Sequence, residues 1–385
     1  MFSVHQHWDP LKVCVVGCSW PPEAYSWITV PHVRSLFEKI AQETEEDYQS
    51  IIKKLQELNV TVVRPDLPEQ TFVNNNFVAP PMTPRDDMVM IGDVFYECVV
   101  NKNKNQFFKE FYQDVKSPWW PSCNSLAEFI KLPELIQKEC VDVHGLDVTN
   151  PRYQDHINHA YDKILDYIRS QGNTIKTDVN NHINGAMVSR IGKDLFFGTR
   201  FYQQDQTELK KIVNTEFSNT RNHIVNTGGH SDGTYCPVAP GLIISLYDVP
   251  SYADTFPGWE VVYLPNQSWS AVSEFIKLKK KNYGKWWIPG FEHDQAVIDT
   301  VETWMNHWTG YVEETVFDVN MLIIDPKNVI VFNYNKQVFD ALDRYGITPH
   351  VVPFRHRYFW DGGIHCVTSD LHRIGQQQDF FPTRL

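Results

Sequence analysis

"MLIIDPKNVIVFNYNKQVFDALDRYGITPHVVPF", residues 321–354, contains two short apolar runs, a helical segment and a third apolar run. Pro326 and Lys327 separate the first two runs, which predicts a hairpin of antiparallel strands. Residues 336–345 have the period of a short amphipathic helix, and "PHVVPF" (349–354) predicts a further strand. The stretch therefore predicts a unit made of a hairpin, a helix and a strand.

Similar segments recur along the chain. Strand-like runs lie at 12–17, 60–65, 88–100, 194–199, 241–246, 259–265, 321–332 and 349–354. Helical periodicity is found at 43–58, 152–171, 207–217 and 336–345. Gly92 and Asp93 mark a second hairpin turn. Because hairpins require antiparallel pairing, this internal repeat fits simple parallel βαβ winding poorly.

Composition limits the class of protein. The 385 residues are 42% hydrophobic and 14% aromatic, with a net charge of −12, as in soluble globular proteins. An acidic balance disfavours a general nucleic-acid binder and is compatible with a cationic small substrate. No apolar run is long enough to cross a membrane, and the first residues resemble no targeting segment, so we expect a cytoplasmic protein. No linker-like stretch divides the chain, which predicts a single domain over residues 1–385.

The seven cysteines are odd in number and lack zinc-site spacing, so we expect reduced thiols and no metal site. Cys366 differs because it lies in "DGGIHCVTSDLHR", residues 361–373. Gly362 and Gly363 permit a sharp turn that could hold its thiol out as a nucleophile, although a small buried side chain is the alternative. His365 is its neighbour and, in an extended segment, would point elsewhere.

Three further segments carry polar residues suited to chemistry. His230 and Asp232 lie in a glycine-rich stretch and would share a side in an extended segment, although a polar turn is the alternative. Asp86 and Asp87 precede a strand, where they could face a pocket or act only as turn residues. Asn184 precedes another strand and by itself indicates nothing.

Taken in order, these segments resemble the arginine:glycine amidinotransferase family, which belongs to the guanidino-modifying enzymes. The resemblance spans nearly the whole chain and is weakest over 101–175 and 247–318. It rests on five segments: "HWDPLKVCVVG" (7–17), "PRDDMVMIGDVFYE" (84–97), "SRIGKDLFF" (189–197), "HSDGTYCPVAPGLIIS" (230–245) and "GGIHCVTSDLHR" (362–373).

The resemblance implies an α/β fold, a five-fold pseudosymmetric propeller (pentein) of ββαβ units around a central polar channel. It also implies that Cys366 attacks the guanidino carbon of L-arginine, that L-ornithine leaves, and that an acceptor amine takes the amidino group from sulfur. His230 then acts as general acid and base, while Asp86 and Asp232 bind the guanidinium. No metal or organic cofactor is implied, and a homodimer is left open.

Two departures from the family pattern leave alternatives open. Asn184 stands where the family has an aspartate that orients the catalytic histidine, so the imidazolium would lose a stabilising charge. Val249, between Asp248 and Pro250, stands where the family has an arginine for the substrate carboxylate. Family serines are replaced near Glu313 and Glu314. Hydrolysis of the intermediate to ornithine and urea is therefore one alternative, and an inactive guanidino-ligand binder is another.

Overall fold

The computed structural model of the chain describes residues 1–68, 71–73, 76–98, 159–178, 183, 185–199, 203–227, 230–246, 252–264, 288, 290–291, 293–305, 318–360 and 362–384. Its strands are β1 (Leu11–Val16), β2 (Thr61–Val63), β3 (Phe72–Val73), β4 (Asn76–Phe77), β5 (Met88–Ile91), β6 (Val94–Cys98), β7 (Thr174–Asp178), β8 (Val188–Ile191), β9 (Asp194–Thr199), β10 (Arg221–Asn226), β11 (Tyr235–Ala239), β12 (Leu242–Ser245), β13 (Glu260–Tyr263), β14 (Leu322–Asp325), β15 (Asn328–Val331), β16 (Thr348–Val351) and β17 (Thr368–Arg373).

Eight α-helical segments accompany these strands within the described residues. They are α1 (Pro31–Glu57), α2 (Pro84–Asp87), α3 (Asp162–Ser170), α4 (Gln203–Glu216), α5 (Tyr252–Thr255), α6 (Gln295–Trp304), α7 (Lys336–Arg344) and α8 (Arg357–Trp360). None of the described helices combines the length and the apolar composition needed to span a membrane.

Five three-stranded sheets in the described residues share one topology, and each is called a blade below. The blades are β17-β1-β2, β5-β6-β7, β8-β9-β10, β11-β12-β13 and β14-β15-β16. In every blade the first two strands pair antiparallel and the third joins parallel to the second. The parallel step needs a crossover, which α1, α3, α4, α5 and α7 supply in turn. The predicted five-fold α/β propeller is confirmed.

The blade that contains both ends of the sequence closes the ring. β1 pairs antiparallel with β17, with Val16 opposite Thr368 and Leu11 opposite Arg373. In each blade the first strand is largely or wholly buried, whereas the third strand is partly exposed. First strands therefore form the inner edge of the propeller and third strands the outer edge.

Local sequence signals explain most of the elements. The hairpin predicted at Gly92 and Asp93 joins β5 to β6, with Gly92 at a φ of 59°. Pro326 and Lys327 likewise connect β14 to β15. Of the predicted helix at 152–171, only α3 and a short 3-10 turn lie within the described residues.

The first helix begins earlier than its predicted start at residue 43. Pro31 occupies the first turn of α1, where a missing backbone N–H costs nothing. Val33, Phe37 and Ile40 then continue the buried stripe that Tyr48 and Ile51 extend. The apolar period was therefore present upstream of residue 43, and the prediction stopped too soon.

Candidate active site

Cys366 lies in a turn between α8 and β17, and its side chain is only 2% exposed. The backbone of this turn is held by the Val367 N–H, which donates to the Gly363 carbonyl at 3.1 Å. Two polar groups approach the sulfur. Asn320 Nδ2 lies 3.0 Å from Sγ, and Asp232 Oδ2 lies 3.6 Å from it. The thiol is therefore buried between an amide donor and a carboxylate.

Asp232 belongs to a 3-10 turn, Ser231–Gly233, immediately before β11. Its Oδ2 also accepts a hydrogen bond from His365 Nδ1 at 2.8 Å. Burial lowers the pKa of His365 well below its ordinary value, and the nearby Arg85 guanidinium lowers it further. His365 is therefore a neutral imidazole whose Nδ1–H fixes the orientation of the Asp232 carboxylate.

The expectation that His365 points away from the site is wrong. It assumed an extended segment, in which successive side chains alternate. Residues 364–367 instead form a turn, so that His365 and Cys366 both reach Asp232.

Asp86 and His230 form a second pair. Asp86 lies in α2, and its Oδ1 is 3.8 Å from His230 Nδ1. Their side chains are 28% and 21% exposed, so this pair lies nearer to solvent than Cys366 does. Because residues 231–233 form a helical turn and are not extended, His230 and Asp232 contact different partners.

Asn184 lies outside the described residues, as do Asp248, Val249, Pro250, Glu313 and Glu314. Gly185, which follows Asn184, packs directly on α2. A Cβ at Gly185 would lie 2.5 Å from the carbonyl oxygens of Arg85 and Met88, so only glycine fits without displacing the backbone. The described part of this segment thus lies against the helix that carries Asp86.

A buried ion-pair cluster supports the turn that holds Cys366. Asp370, on β17, accepts hydrogen bonds from Arg85 at 2.5 Å, Arg190 at 2.8 Å and Arg373 at 2.7 Å, and all four side chains are almost fully buried. Burial alone would raise the pKa of Asp370, but the three guanidinium groups hold it well below its ordinary value. The cluster joins β17 to β8 and to α2.

Arg85 links the two halves of the site directly. Its Nε donates to the carbonyls of Thr368 at 3.0 Å and His365 at 3.3 Å, and its backbone N–H donates to the Cys366 carbonyl at 3.3 Å. Asp86 is the next residue. The position of the Asp86 helix is therefore tied to the turn of Cys366.

A small cavity borders the site. Its volume of about 20 Å³ suffices for a water molecule, and Asp232, His365, His7, Cys236 and Arg373 are among its lining residues. Burial lowers the pKa of His7 well below its ordinary value, and Arg190 contributes to this shift. His7 is thus neutral, and its Nε2 accepts the Arg190 backbone N–H at 3.1 Å.

Sequence reasoning missed Asn320 and the placement of His365. A positional signal for Asn320 existed in the chain. Asp86, Asp232 and Cys366 precede the first strand of their blades by two or three residues, and Asn320 precedes β14 by two. Asn184 stands four residues before β8. Because the first strands surround one axis, residues at this position converge there.

Several known proteins are similar to this chain in sequence or in fold. No protein-family model matches the chain. It is 21% identical to the L-arginine:L-lysine amidinotransferase of Pseudomonas savastanoi pv. phaseolicola, over 77% of this chain and 68% of that protein. It is 21% identical to inosamine-phosphate amidinotransferase 1 of Streptomyces glaucescens, over 99% of each. The structure of SxtG, an amidinotransferase from Microseira wollei in the saxitoxin biosynthetic pathway, superposes with a TM-score of 0.58 at 16% identity, covering 99% of each chain.

The superposition on SxtG shows that this chain shares the fold of that amidinotransferase. Sequence similarity to curated amidinotransferases, which reaches 99% of the chain, agrees with the ordered motifs. The chain is therefore similar to the amidinotransferases in both fold and sequence.

Proposed function

We propose that this amidinotransferase-family enzyme acts on L-arginine through a covalent amidino-Cys366 intermediate. The observation that carries the proposal is the 3.6 Å approach of Cys366 Sγ to Asp232 Oδ2 in a buried turn. A carboxylate at this distance can hold a guanidinium by charge-assisted hydrogen bonds while the sulfur faces its carbon. The name of the arginine:lysine relative supports arginine as the donor.

In the first half-reaction the Cys366 thiolate forms a bond to the guanidino carbon. The bond from that carbon to Nε of arginine then breaks, and His230 donates the proton that lets the δ-amine of L-ornithine leave. Asp86 and Asp232 hold the remaining nitrogens. The 3.8 Å contact between His230 and Asp86 supports this arrangement, because it sets a proton donor beside a guanidinium-binding carboxylate.

In the second half-reaction an amine gives its proton to His230 and attacks the amidino carbon, and the carbon–sulfur bond breaks to restore the thiolate. Asn184 would accept a hydrogen bond from the imidazole without adding a charge. The reaction so written needs no metal or organic cofactor. A homodimer stays a prediction that light scattering would test.

Hydrolysis is the second candidate, and Val249 favours it. An amino-acid acceptor such as glycine needs a cation for its carboxylate, and the arginine that the family provides there is replaced. Water needs no such anchor. Hydrolysis would release urea together with ornithine.

One product assay separates these functions. The protein is incubated with L-arginine alone, and then with glycine, lysine and other amines, and ornithine, urea and citrulline are quantified. We expect ornithine release to depend on an amine and to fall at least 1,000-fold, or about 4 kcal/mol, in Cys366→Ala. Stoichiometric urea without an amine would establish hydrolysis instead. Arginine binding without turnover, retained in Cys366→Ala, would establish a guanidino-ligand binder.

A further inference from the structure

Asn320 is a buried side chain, 1% exposed, at the entrance of β14. Its Nδ2 donates to Cys366 Sγ at 3.0 Å and to the Asp232 carbonyl at 3.2 Å. Its Oδ1 accepts the backbone N–H of His365 at 2.7 Å and that of Cys366 at 3.4 Å. One amide therefore joins the turn of Cys366 to the segment that carries Asp232.

These contacts determine which end of the amide faces the sulfur. A backbone N–H can only donate, so the side-chain atom beside the His365 and Cys366 N–H groups must be the oxygen. The NH₂ group then necessarily points toward Sγ and the Asp232 carbonyl. The reversed orientation would set donor against donor in a buried place, at considerable cost.

Gly363 makes room for this amide. A Cβ at Gly363 would lie 2.2 Å from Asn320 Oδ1 and 2.6 Å from Asn320 Cβ, which no side chain tolerates. Glycine at residue 363 therefore lets Asn320 pack closely against the turn of Cys366.

An amide N–H bonds more strongly to a negatively charged sulfur than to a neutral thiol, because the hydrogen bond becomes charge-assisted. Asn320 therefore favours the thiolate. Asp232 Oδ2 acts in the opposite direction, since a carboxylate repels a thiolate and accepts the S–H of a thiol. Because this carboxylate destabilises the thiolate, a hydrogen-bond donor fixed beside the sulfur is what keeps the thiolate populated.

We propose that Asn320 is a further catalytic residue, whose Nδ2–H stabilises the Cys366 thiolate both before attack and as the leaving group when the amidino group departs. The inference rests on the proposed role of Cys366 as nucleophile. It concerns the reacting sulfur itself and is testable without turnover.

Other charged groups also influence this sulfur. Asp232 faces it from the segment before β11, and the neutral His365 faces Asp232 from the same turn as Cys366. Arg85 lies on the backbone side of the turn, and its guanidinium donates hydrogen bonds to Asp370 and to carbonyl oxygens. Asp86 and His230 form the pair nearer to solvent. A test must therefore change Asn320 while leaving all of these in place.

Asn320→Asp is the sharper of two variants. It keeps an acceptor for the two backbone N–H groups but replaces the donor facing sulfur with a carboxylate oxygen. Asn320→Ala removes both interactions. Asn328→Ala is the matched control. Asn328 begins β15, the strand paired with β14, and its side chain bonds to Asp325 and not to Cys366. Melting curves establish that each variant is folded.

The readout is the rate at which iodoacetamide alkylates Cys366 at neutral pH, followed on the Cys366 peptide by mass spectrometry. We expect both Asn320 variants to react at about one tenth of the wild-type rate or below. The pH midpoint of the rate should rise by about one unit. Asn328→Ala should match the wild type. A folded Asn320 variant that reacts within twofold of the wild type at an unchanged midpoint would overturn the proposal.

A measurement on the unmodified side chain covers the case in which neither variant folds. The side-chain amide resonances of Asn320, in protein labelled with ¹⁵N at asparagine, should shift as pH is raised through that midpoint, and Cys366→Ala should abolish the shift. Resonances that do not respond would overturn the proposal. Failure of the wild type to release ornithine from arginine would instead contradict the proposed function, independently of either result.

Discussion

One carboxylate oxygen of Asp232 contacts both His365 and Cys366. Its Oδ2 accepts from His365 Nδ1 at 2.8 Å and lies 3.6 Å from Cys366 Sγ. The neutral imidazole adds no charge that would compete with a cationic substrate for this carboxylate. His365 therefore orients Asp232 without weakening its attraction for a guanidinium. A lysine or arginine at residue 365 would weaken that attraction.

Asp87 differs from its neighbour Asp86. Burial raises the pKa of Asp87 to about 7, while a hydrogen bond from Tyr161 at 2.6 Å opposes the shift and the nearby Asp86 and Glu97 add to it. Its carboxyl ionises near pH 4 in the unfolded chain but only near pH 7 in the folded one. The wild type should therefore lose stability between about pH 4 and pH 7 and show no further loss from this group above pH 7.

Asp87→Asn should remove this loss, because an amide does not ionise and still offers Tyr161 an acceptor. A shift of about three pKa units corresponds to about 4 kcal/mol, and partial exposure reduces it, so we expect the variant to gain about 1 to 2 kcal/mol on the wild type between pH 4 and pH 7. Urea unfolding across this pH range measures the difference. The exposed Asp166→Asn serves as control, and a difference that does not change with pH would contradict the expectation.

At the scale of elements, α2 and the turn before β17 behave as one support for the site. Arg85 joins them through the carbonyls of His365 and Thr368 and through Asp370, although 280 residues separate Arg85 from His365. No local rule could predict this connection. As a consequence, Asp86 and Cys366 keep a fixed relative position although they precede the first strands of different blades.

Arg85→Met should therefore weaken both stability and activity. Each buried carbonyl left without its donor costs about 1 to 3 kcal/mol, and Asp370 keeps only two of its three guanidinium partners. We expect chemical unfolding at lower denaturant and a lower kcat/KM in the product assay. Arg344→Met removes an exposed pair with Glu260 and should change stability by less than about 1 kcal/mol. Equal effects of the two substitutions would contradict the assigned role of Arg85.

At the scale of the whole molecule, closure of the ring by β1 and β17 suggests that the blades depend on one another. The buried cluster around Asp370 supports this, since it joins two blades and α2. We propose that the chain unfolds as a single domain, in one cooperative transition.

Leu371→Ala tests this cooperativity. Leu371 lies on β17 and is fully buried, so truncation should cost about 2 to 5 kcal/mol. If the ring is one unit, far-UV circular dichroism and tryptophan fluorescence should shift to the same lower melting temperature. Ile374→Ala, at a side chain that is 56% exposed, should alter stability by no more than about 0.5 kcal/mol. Two separate transitions in Leu371→Ala would show that blades unfold independently.

The sequence by itself determined the parts whose causes are local. The turns at Gly92–Asp93 and Pro326–Lys327, the apolar stripes of α3 and α7 and most strands follow from residues close together in the chain. The ordered motifs also indicated the amidinotransferases, because they carry that family's pattern along the linear sequence.

Only the tertiary structure decided which of these parts meet. Asp232, Asn320 and Cys366 come from three separate segments, and hydrogen bonds join them only after the blades have closed around a common axis. The same holds for Asp370, whose buried charge is tolerable only because Arg85, Arg190 and Arg373 surround it. Such contacts depend on long-range packing and on the exclusion of water, and neither is encoded in the spacing of neighbouring residues.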